Sequence, residues 1–305
     1  MGAHSQSYPD RVTELGSTGV MVSRIGVGTN RWTIGENDES VFQAYRSLLD
    51  KGINFFDTAE IYTGGRSEQL LGACHRRDNR PVVIASKYMP STTRLTSGQF
   101  MEALNSTLSR LGVEILDLYY IHMPPTTQSV EVLMDYMAEV FEAGKIRAVG
   151  ISNFDADQMR RAAARLEGHG VPLAANEVEY NLMNREPETN GVLDACRELN
   201  ASLVAYRPLG RGLLASVDAM GGSSKNTRAR SPSEDTIMET LRLIAEHLGR
   251  SVSQVALGWL LRKDDAVIPI PGATNVSHAL DNAEALDWIL GEAEFKQLEE
   301  VSSPK

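Results

Sequence analysis

Four side chains in the first half of the sequence are of the types that proton chemistry needs: Asp57, Tyr62, Lys87 and His122. The stretch NFFDTAEIYTGGRSEQLLG, residues 54–72, delivers two of them together. Its apolar start reads as a buried strand ending on Asp57, Gly64 and Gly65 mark a turn, and Ser67 with Glu68 opens a helix. A phenol titrates near pH ~10 in water, too high for easy proton exchange at neutral pH. A neighbouring ammonium stabilises the phenolate and lowers that value. Lys87 beside Tyr62 would therefore tune a proton donor, with Asp57 holding the ammonium charged and in place. His122 would add a second hydrogen bond to the same substrate oxygen. Such a set faces an oxygen that gains negative charge, as in carbonyl reduction. It suits hydrolysis poorly, because no base-paired nucleophile and no metal-ligand cluster accompanies it.

The elements that must position these groups alternate along the chain. Apolar runs read as strands near residues 24–27 and 53–57, then at PVVIASK, ILDLYYIH, KIRAVGISN, PLAANEVEY, SLVAYRPLG and AVIPIPG. Helical spacing fills the gaps at 38–51, 97–111, 130–143, 156–166, 187–199, 235–248, 252–261, 276–286 and 292–300. Strand starts recur at steps of roughly 27 to 34 residues, the size of one βα unit. Eight such units predict a single (β/α)8 TIM barrel over residues 1–305, with an N-terminal β-hairpin at 8–23 and two extra helices. A doubly wound open sheet is the alternative, but the segment after the first strand lacks its Gly-rich fingerprint.

The barrel gathers scattered polar residues. Asp57, Lys87, His122, Asn153, Glu177 and Tyr206 all fall at C-terminal ends of predicted strands, the face where such barrels carry their chemistry. Each has a bland alternative on its own. Lys87 could reach out from the rim, His122 could sit in a turn before two prolines, and Ser152-Asn153 could cap a helix. The coincidence of all six favours one site.

Composition narrows the class. The chain has 305 residues, 42% of them hydrophobic, and a net charge of −10. That acidity argues against nucleic-acid and anionic-membrane partners. No apolar run approaches a membrane span, and the opening MGAHSQSYPDR has no secretion-signal core. Two distant cysteines, Cys74 and Cys196, point to a reducing, cytoplasmic setting without metal ligation.

The motifs GINFFDTAEIYTGGRSEQLLG, VVIASK, LDLYYIH, GKIRAVGISNF, NEVEYNLMNR, AYRPLGRGLL and IPGATNVSHALDNAEAL together resemble the aldo-keto reductase family over nearly the whole chain. The resemblance implies a nicotinamide-dependent oxidoreductase acting on a small carbonyl or alcohol. In it Tyr62 is the general acid, Lys87 its partner, Asp57 the partner of Lys87, and His122 the substrate-orienting donor. It further implies that Ser152, Asn153 and Glu177 hold the nicotinamide carboxamide, and that Tyr206 stacks on the nicotinamide ring. Leu209, Arg211, Gly212 and Leu213 would lie against the pyrophosphate. Gly272, Thr274, His278, Asp281 and Asn282 would surround the adenosine half, and Thr29 and Asn30 would touch the cofactor near the first strand.

Three departures stand out. Glu177 replaces the Gln of such families, Arg207 replaces a small hydroxyl residue, and Thr274 and His278 stand where cations for a 2′-phosphate are expected. Arg207 could reach the pyrophosphate or pair with Glu177. The resemblance implies NADP(H) as preferred coenzyme, with NAD(H) as the alternative. It also leaves open a cofactor-binding regulatory subunit resembling potassium-channel β-subunits. The pocket walls are expected from Trp32, Tyr62, Tyr88 and His122. The Gly- and Ser-rich segment 210–234, with Arg211, Lys225, Arg228 and Arg230, is expected to cover the cofactor. Nothing in the sequence specifies an oligomeric state.

Overall fold

The computed structural model describes residues 10–32, 38–215 and 231–304. The eight apolar runs form one parallel sheet: β3 (Val27–Gly28), β4 (Phe55–Asp57), β5 (Val83–Tyr88), β6 (Leu118–Ile121), β7 (Val149–Ser152), β8 (Leu173–Glu179), β9 (Ser202–Tyr206) and β10 (Val267–Pro269). They pair in chain order from β3 to β10. The sheet also closes on itself. Gly26 N–H donates to the Pro269 carbonyl at 2.9 Å and Gly28 N–H to that of Pro271 at 3.2 Å. The result is a (β/α)8 barrel.

Before it lies the hairpin of β1 (Val12–Glu14) and β2 (Met21–Ser23), which pair antiparallel. Leu15 and Val22 are buried and pack inside the barrel with Phe55, Leu118, Ala174, Val204 and Ile268. Gly16 N–H donates to Ser202 Oγ at 3.0 Å, at the first residue of β9. The hairpin thus stoppers the end of the barrel where strands begin and leaves the other end free for chemistry. A Cβ on Gly16 would meet the Ala174 carbonyl oxygen at 2.6 Å, so this close approach requires glycine.

The helices are α1 (Asp38–Asp50), α2 (Arg66–Asp78), α3 (Ser97–Leu111), α4 (Val130–Glu142), α5 (Ala156–Glu167), α6 (Val192–Glu198), α7 (Pro232–Leu248), α8 (Val252–Lys263), α9 (Val276–Ala283) and α10 (Glu292–Val301). Their apolar stripes and the outward faces of the strands make a second, annular core. Capping boxes start several of them: Thr96 with Gln99, Asp155 with Gln158, and Ser231 with Glu234. The two extra helices, α7 and α10, pack against each other. No helix among the described residues is long and apolar enough to cross a membrane.

Three helix ends differ from the periodicity by three residues or more. The helix expected at 187–199 begins only at Val192, because Gly191 takes a left-handed φ of 81° and separates it from a 3-10 turn at Glu186–Glu188. The helix expected from 235 begins at Pro232, where the Ser231 cap takes over from a run that reads as loop. The helix expected to reach 286 ends at Ala283 and tightens into a 3-10 turn, Glu284–Asp287.

Inside the barrel Tyr120 occupies the space above Gly150. A Cβ there would lie 2.4 Å from the Tyr120 ring. Gly150→Ala should therefore destabilise the protein by about 1–3 kcal/mol through overpacking. Urea denaturation would measure it, and an unchanged midpoint would show that the barrel interior is loosely filled.

Candidate active site

Strand register sets the first cluster. Asp57 ends β4, and Lys87 is the penultimate residue of β5. Both side chains turn into the barrel mouth, where Lys87 is fully buried and Asp57 is 1% exposed. Lys87 Nζ contacts both Asp57 carboxylate oxygens and donates to the Thr58 carbonyl at 3.0 Å. It donates to Tyr62 Oη at 3.4 Å and lies 3.2 Å from Glu177 Oε2. Tyr62 opens a 3-10 turn, Tyr62–Gly65, in which Thr63, Gly64 and Gly65 all take positive φ (47°, 64° and 85°). That turn reverses the chain sharply after β4 and brings the phenol back over Lys87. His122 follows β6, its N–H donating to the Tyr88 carbonyl at 2.8 Å. Its ring meets Tyr62 edge-on, centroids 5.7 Å apart.

The electrostatics follow from burial. Burial opposes charge on Lys87, but Asp57, Glu177 and Tyr62 outweigh it and raise its pKa, so it stays an ammonium. Burial also raises the Tyr62 phenol; Lys87 opposes this, while Asp57 and Glu177 add to it. The net direction is up, opposite to the simple pairing argument, because burial outweighs the pull of Lys87. Tyr62 is thus held as an O–H donor. Burial, then Lys87, pushes His122 down to about 3, which keeps its imidazole neutral. His122 Nδ1 is buried without a hydrogen-bond partner among the described residues.

From this cluster a cleft of about 730 Å³ runs across the mouth towards α9. Asp57, Tyr62, His122, Asn30, Ser152, Asn153, Glu177, Tyr206, Arg207, Leu209, Arg211, Gly212, Gly272, Thr274, His278, Asp281 and Asn282 all line it. Ser152 Oγ donates to the Glu177 carbonyl at 3.0 Å. Tyr206 Oη donates to Asn153 Oδ1 at 2.9 Å, and Asn153 Nδ2 donates to the His122 carbonyl at 3.2 Å. Asn282 Nδ2 donates to the Gly272 carbonyl at 3.2 Å, which ties α9 to the last strand end. Asn275 caps α9, accepting from His278 N–H at 2.9 Å.

Other expected residues sit elsewhere. Thr29 is buried behind the cleft, its Oγ1 donating to the Asp57 carbonyl at 2.9 Å. Trp32 and Tyr88, expected on the pocket wall, lie in the annular core. Trp32 packs on Tyr45 and Phe56 and donates to the Ala273 carbonyl; Tyr88 packs on Phe100. Arg207 lines the cleft and pairs not with Glu177 but with Glu179, at 2.7 Å. Register explains it, since Glu179 pairs with Tyr206 across β8 and β9. Leu213 is not on the lining, and residues 216–230, with Lys225, Arg228 and Arg230, fall outside the described residues. Arg31, Ser253 and Ile270 line the cleft without having been singled out by the sequence. Arg31 was visible as a charge just past the first strand; Ser253 and Ile270 carried no signal.

The donor set suits a dinucleotide. The Asn153 amide and the neutral His122 ring face one end, beside the Tyr206 ring. Arg31 and Arg211 line the cleft, and the first-turn N–H groups of α9 add positive potential for phosphates at its other end.

Residues 24–303 match the Aldo/keto reductase family. Among curated proteins, the chain is 34% identical to the chloroplastic pyridoxal reductase of Arabidopsis thaliana, over 93% of this chain and 85% of that protein. It is 32% identical to an aldo-keto reductase of Schizosaccharomyces pombe named for NADP(+), over 88% and 84%. Among solved structures, a thermostable aldo-keto reductase in complex with the inhibitor epalrestat superposes with a TM-score of 0.80 at 34% identity, over 95% of this chain and 99% of that one. An aldo/keto reductase from Klebsiella pneumoniae in complex with NADP and acetate superposes with a TM-score of 0.78 at 28% identity, over 96% of each.

Asn153 takes a left-handed φ of 62°. Asn tolerates this conformation through local hydrogen bonds, whereas Ala does not. Asn153→Ala should therefore cost about 1 kcal/mol more than Asn153→Gly, although both lose the amide. Paired denaturation curves would check it, and equal stability would remove backbone strain from the account.

Proposed function

The chain belongs to the aldo/keto reductase family, and from that premise we propose that it interconverts an aldehyde or ketone and its alcohol with Tyr62 as proton donor. The observation that carries this reading is Lys87, buried and touching Asp57 on one side and Tyr62 on the other. NADP(H), when bound, supplies or accepts the hydride. Ser152, Asn153 and Glu177 would hold its carboxamide, Tyr206 would lie against its ring, and α9 with Thr274 and His278 would take the 2′-phosphate.

In this reading Tyr62 donates its O–H to the carbonyl oxygen as charge builds there. Lys87 lies close enough to stabilise the phenolate left behind, and Asp57 keeps Lys87 charged and aimed. His122 is neutral and adds a second hydrogen bond to that oxygen without competing for the proton. In the reverse direction the same phenolate accepts the alcohol proton. The Arabidopsis relative is named for pyridoxal, an aromatic aldehyde, which makes pyridoxal the first compound to include in a substrate panel.

Tyr62→Phe fills the same space but cannot donate a proton. It should lower carbonyl turnover by about a hundredfold or more while leaving NADPH binding nearly unchanged. Steady-state kinetics beside fluorescence titration would show it, and a variant retaining most of its turnover would remove Tyr62 from the role. Coenzyme choice is separately testable. Thr274 offers a neutral hydrogen bond where a cation would give a stronger, charge-assisted one. The preference for NADPH over NADH in kcat/KM should therefore sharpen in Thr274→Arg. A ratio below one in the wild type would make NAD(H) the working coenzyme.

A further inference from the structure

Two carboxyl groups share one ammonium at the floor of the cleft. Asp57 and Glu177 are 1% and 2% exposed, and Lys87 between them is fully buried. Among the described residues, Lys87 is the cation that contacts either of them. If both acids were ionised, one negative charge would stand uncompensated away from water, an arrangement that protonation relieves. The contacts decide which acid keeps the proton. Lys87 Nζ lies against both oxygens of Asp57 but meets Glu177 only at Oε2, 3.2 Å away and outside hydrogen-bond geometry. Burial raises both acids, but Lys87 favours the ionised form of Asp57 over that of Glu177.

We propose that Glu177 is a positioning residue of the cofactor site, carried as a neutral carboxylic acid that presents an O–H donor to the nicotinamide end of the cleft. The donor role rests on the nicotinamide reading of that cleft. Glu177 Oε2 is buried on the Lys87 side, while the residue lines the cleft. A protonated carboxyl offers one acceptor and one donor, which is what a carboxamide partner requires; a carboxylate only accepts. The groups that face Glu177 are Asp57 on β4, Tyr62 after it, Lys87 on β5, Tyr120 on β6 and Tyr206 on β9. Burial raises all three phenols, so they stay neutral across the working range and add no cation. On β7 the neighbour is Ser152, whose hydroxyl donates to the Glu177 carbonyl.

Burial, then the charge of Asp57, pushes Glu177 up to about 8, against the pull of Lys87. Ionisation in the mildly alkaline range would remove the donor and place a second negative charge beside Lys87. The linkage has a definite sign. The folded protein holds this proton more tightly than the unfolded chain, whose Glu has the ordinary value of 4.5. The stabilisation this gives is complete below that value and is lost as pH rises through about 8.

The first measurement needs no cofactor. In protein labelled with carbon-13 at the glutamate carboxyls, the resonance absent from Glu177→Gln should titrate in the mildly alkaline range. A Glu177 resonance already ionised at pH 6 would overturn the protonation. In the wild type, one glutamate titrating far above the others supports the assignment without any variant, and its absence counts against it. The second measurement is NADPH affinity by fluorescence titration. The wild-type Kd should rise about tenfold from pH 7 to pH 9, as the competent form becomes the minor one, while that of Glu177→Gln changes less than about twofold. Equal slopes in the two proteins would overturn the donor role. An intact titration without NADPH binding at any pH would overturn the cofactor reading, and the donor role with it, but leave the protonation standing.

Discussion

Burying one ammonium away from bulk solvent imposes the constraint on which the rest of this site depends. Lys87 is fully buried, and a bare charge there would be expensive unless paired and hydrogen-bonded. The barrel meets the requirement with groups from β4, the turn that follows it, and β8 on the other side of the mouth: the Asp57 carboxylate, the Thr58 carbonyl, Tyr62 Oη and Glu177. That arrangement holds only if β4, β5 and β8 keep their register. It therefore draws on the barrel's closure between β3 and β10 and on the hairpin that fills the opposite end.

The mouth is shaped by backbone as much as by side chains. Thr63, Asn153, Arg207 and Arg211 have left-handed φ values of 47°, 62°, 49° and 58°. Each adjoins or lines the cleft, and such conformations in non-glycine residues persist only where the surroundings fix them. Asn181 Nδ2, for instance, donates to the Arg207 carbonyl at 3.0 Å. The turns after β4, β7 and β9 thereby aim Tyr62, Asn153 and Tyr206 at a common space, while α9 closes its far end.

Much of this was legible because strand ends are legible. A buried run ending on Asp57, Lys87 or His122 states both the element and the direction of the site. What misled was the period-2 alternation within those same runs. Tyr88 follows Lys87 directly, so it faces the opposite way and packs on Phe100 beneath α3. Trp32 lies just past a turn that lines the cleft, at Asn30 and Arg31, but packs onto Tyr45 in the annular core. Arg207 found Glu179 rather than Glu177 for a related reason: cross-strand register, invisible in one sequence, decides which carboxylate is adjacent. The start of α7 was hidden because Ser231 and Pro232 continue a loop-like composition, although both also begin helices. Balances of burial against charge were the least readable. The upward direction at Tyr62 is set first by how deeply the phenol is buried, and that only coordinates reveal.

The central claim is that Lys87 acts on the reaction through Tyr62. Single-turnover reduction by the wild type, Tyr62→Phe, Lys87→Met and the double variant tests it most directly. If the two residues work as one unit, the double variant reacts no more slowly than Tyr62→Phe, because the Lys87 effect has nothing left to act on. Rate losses that multiply in the double variant would mean that Lys87 contributes independently, and would contradict the account.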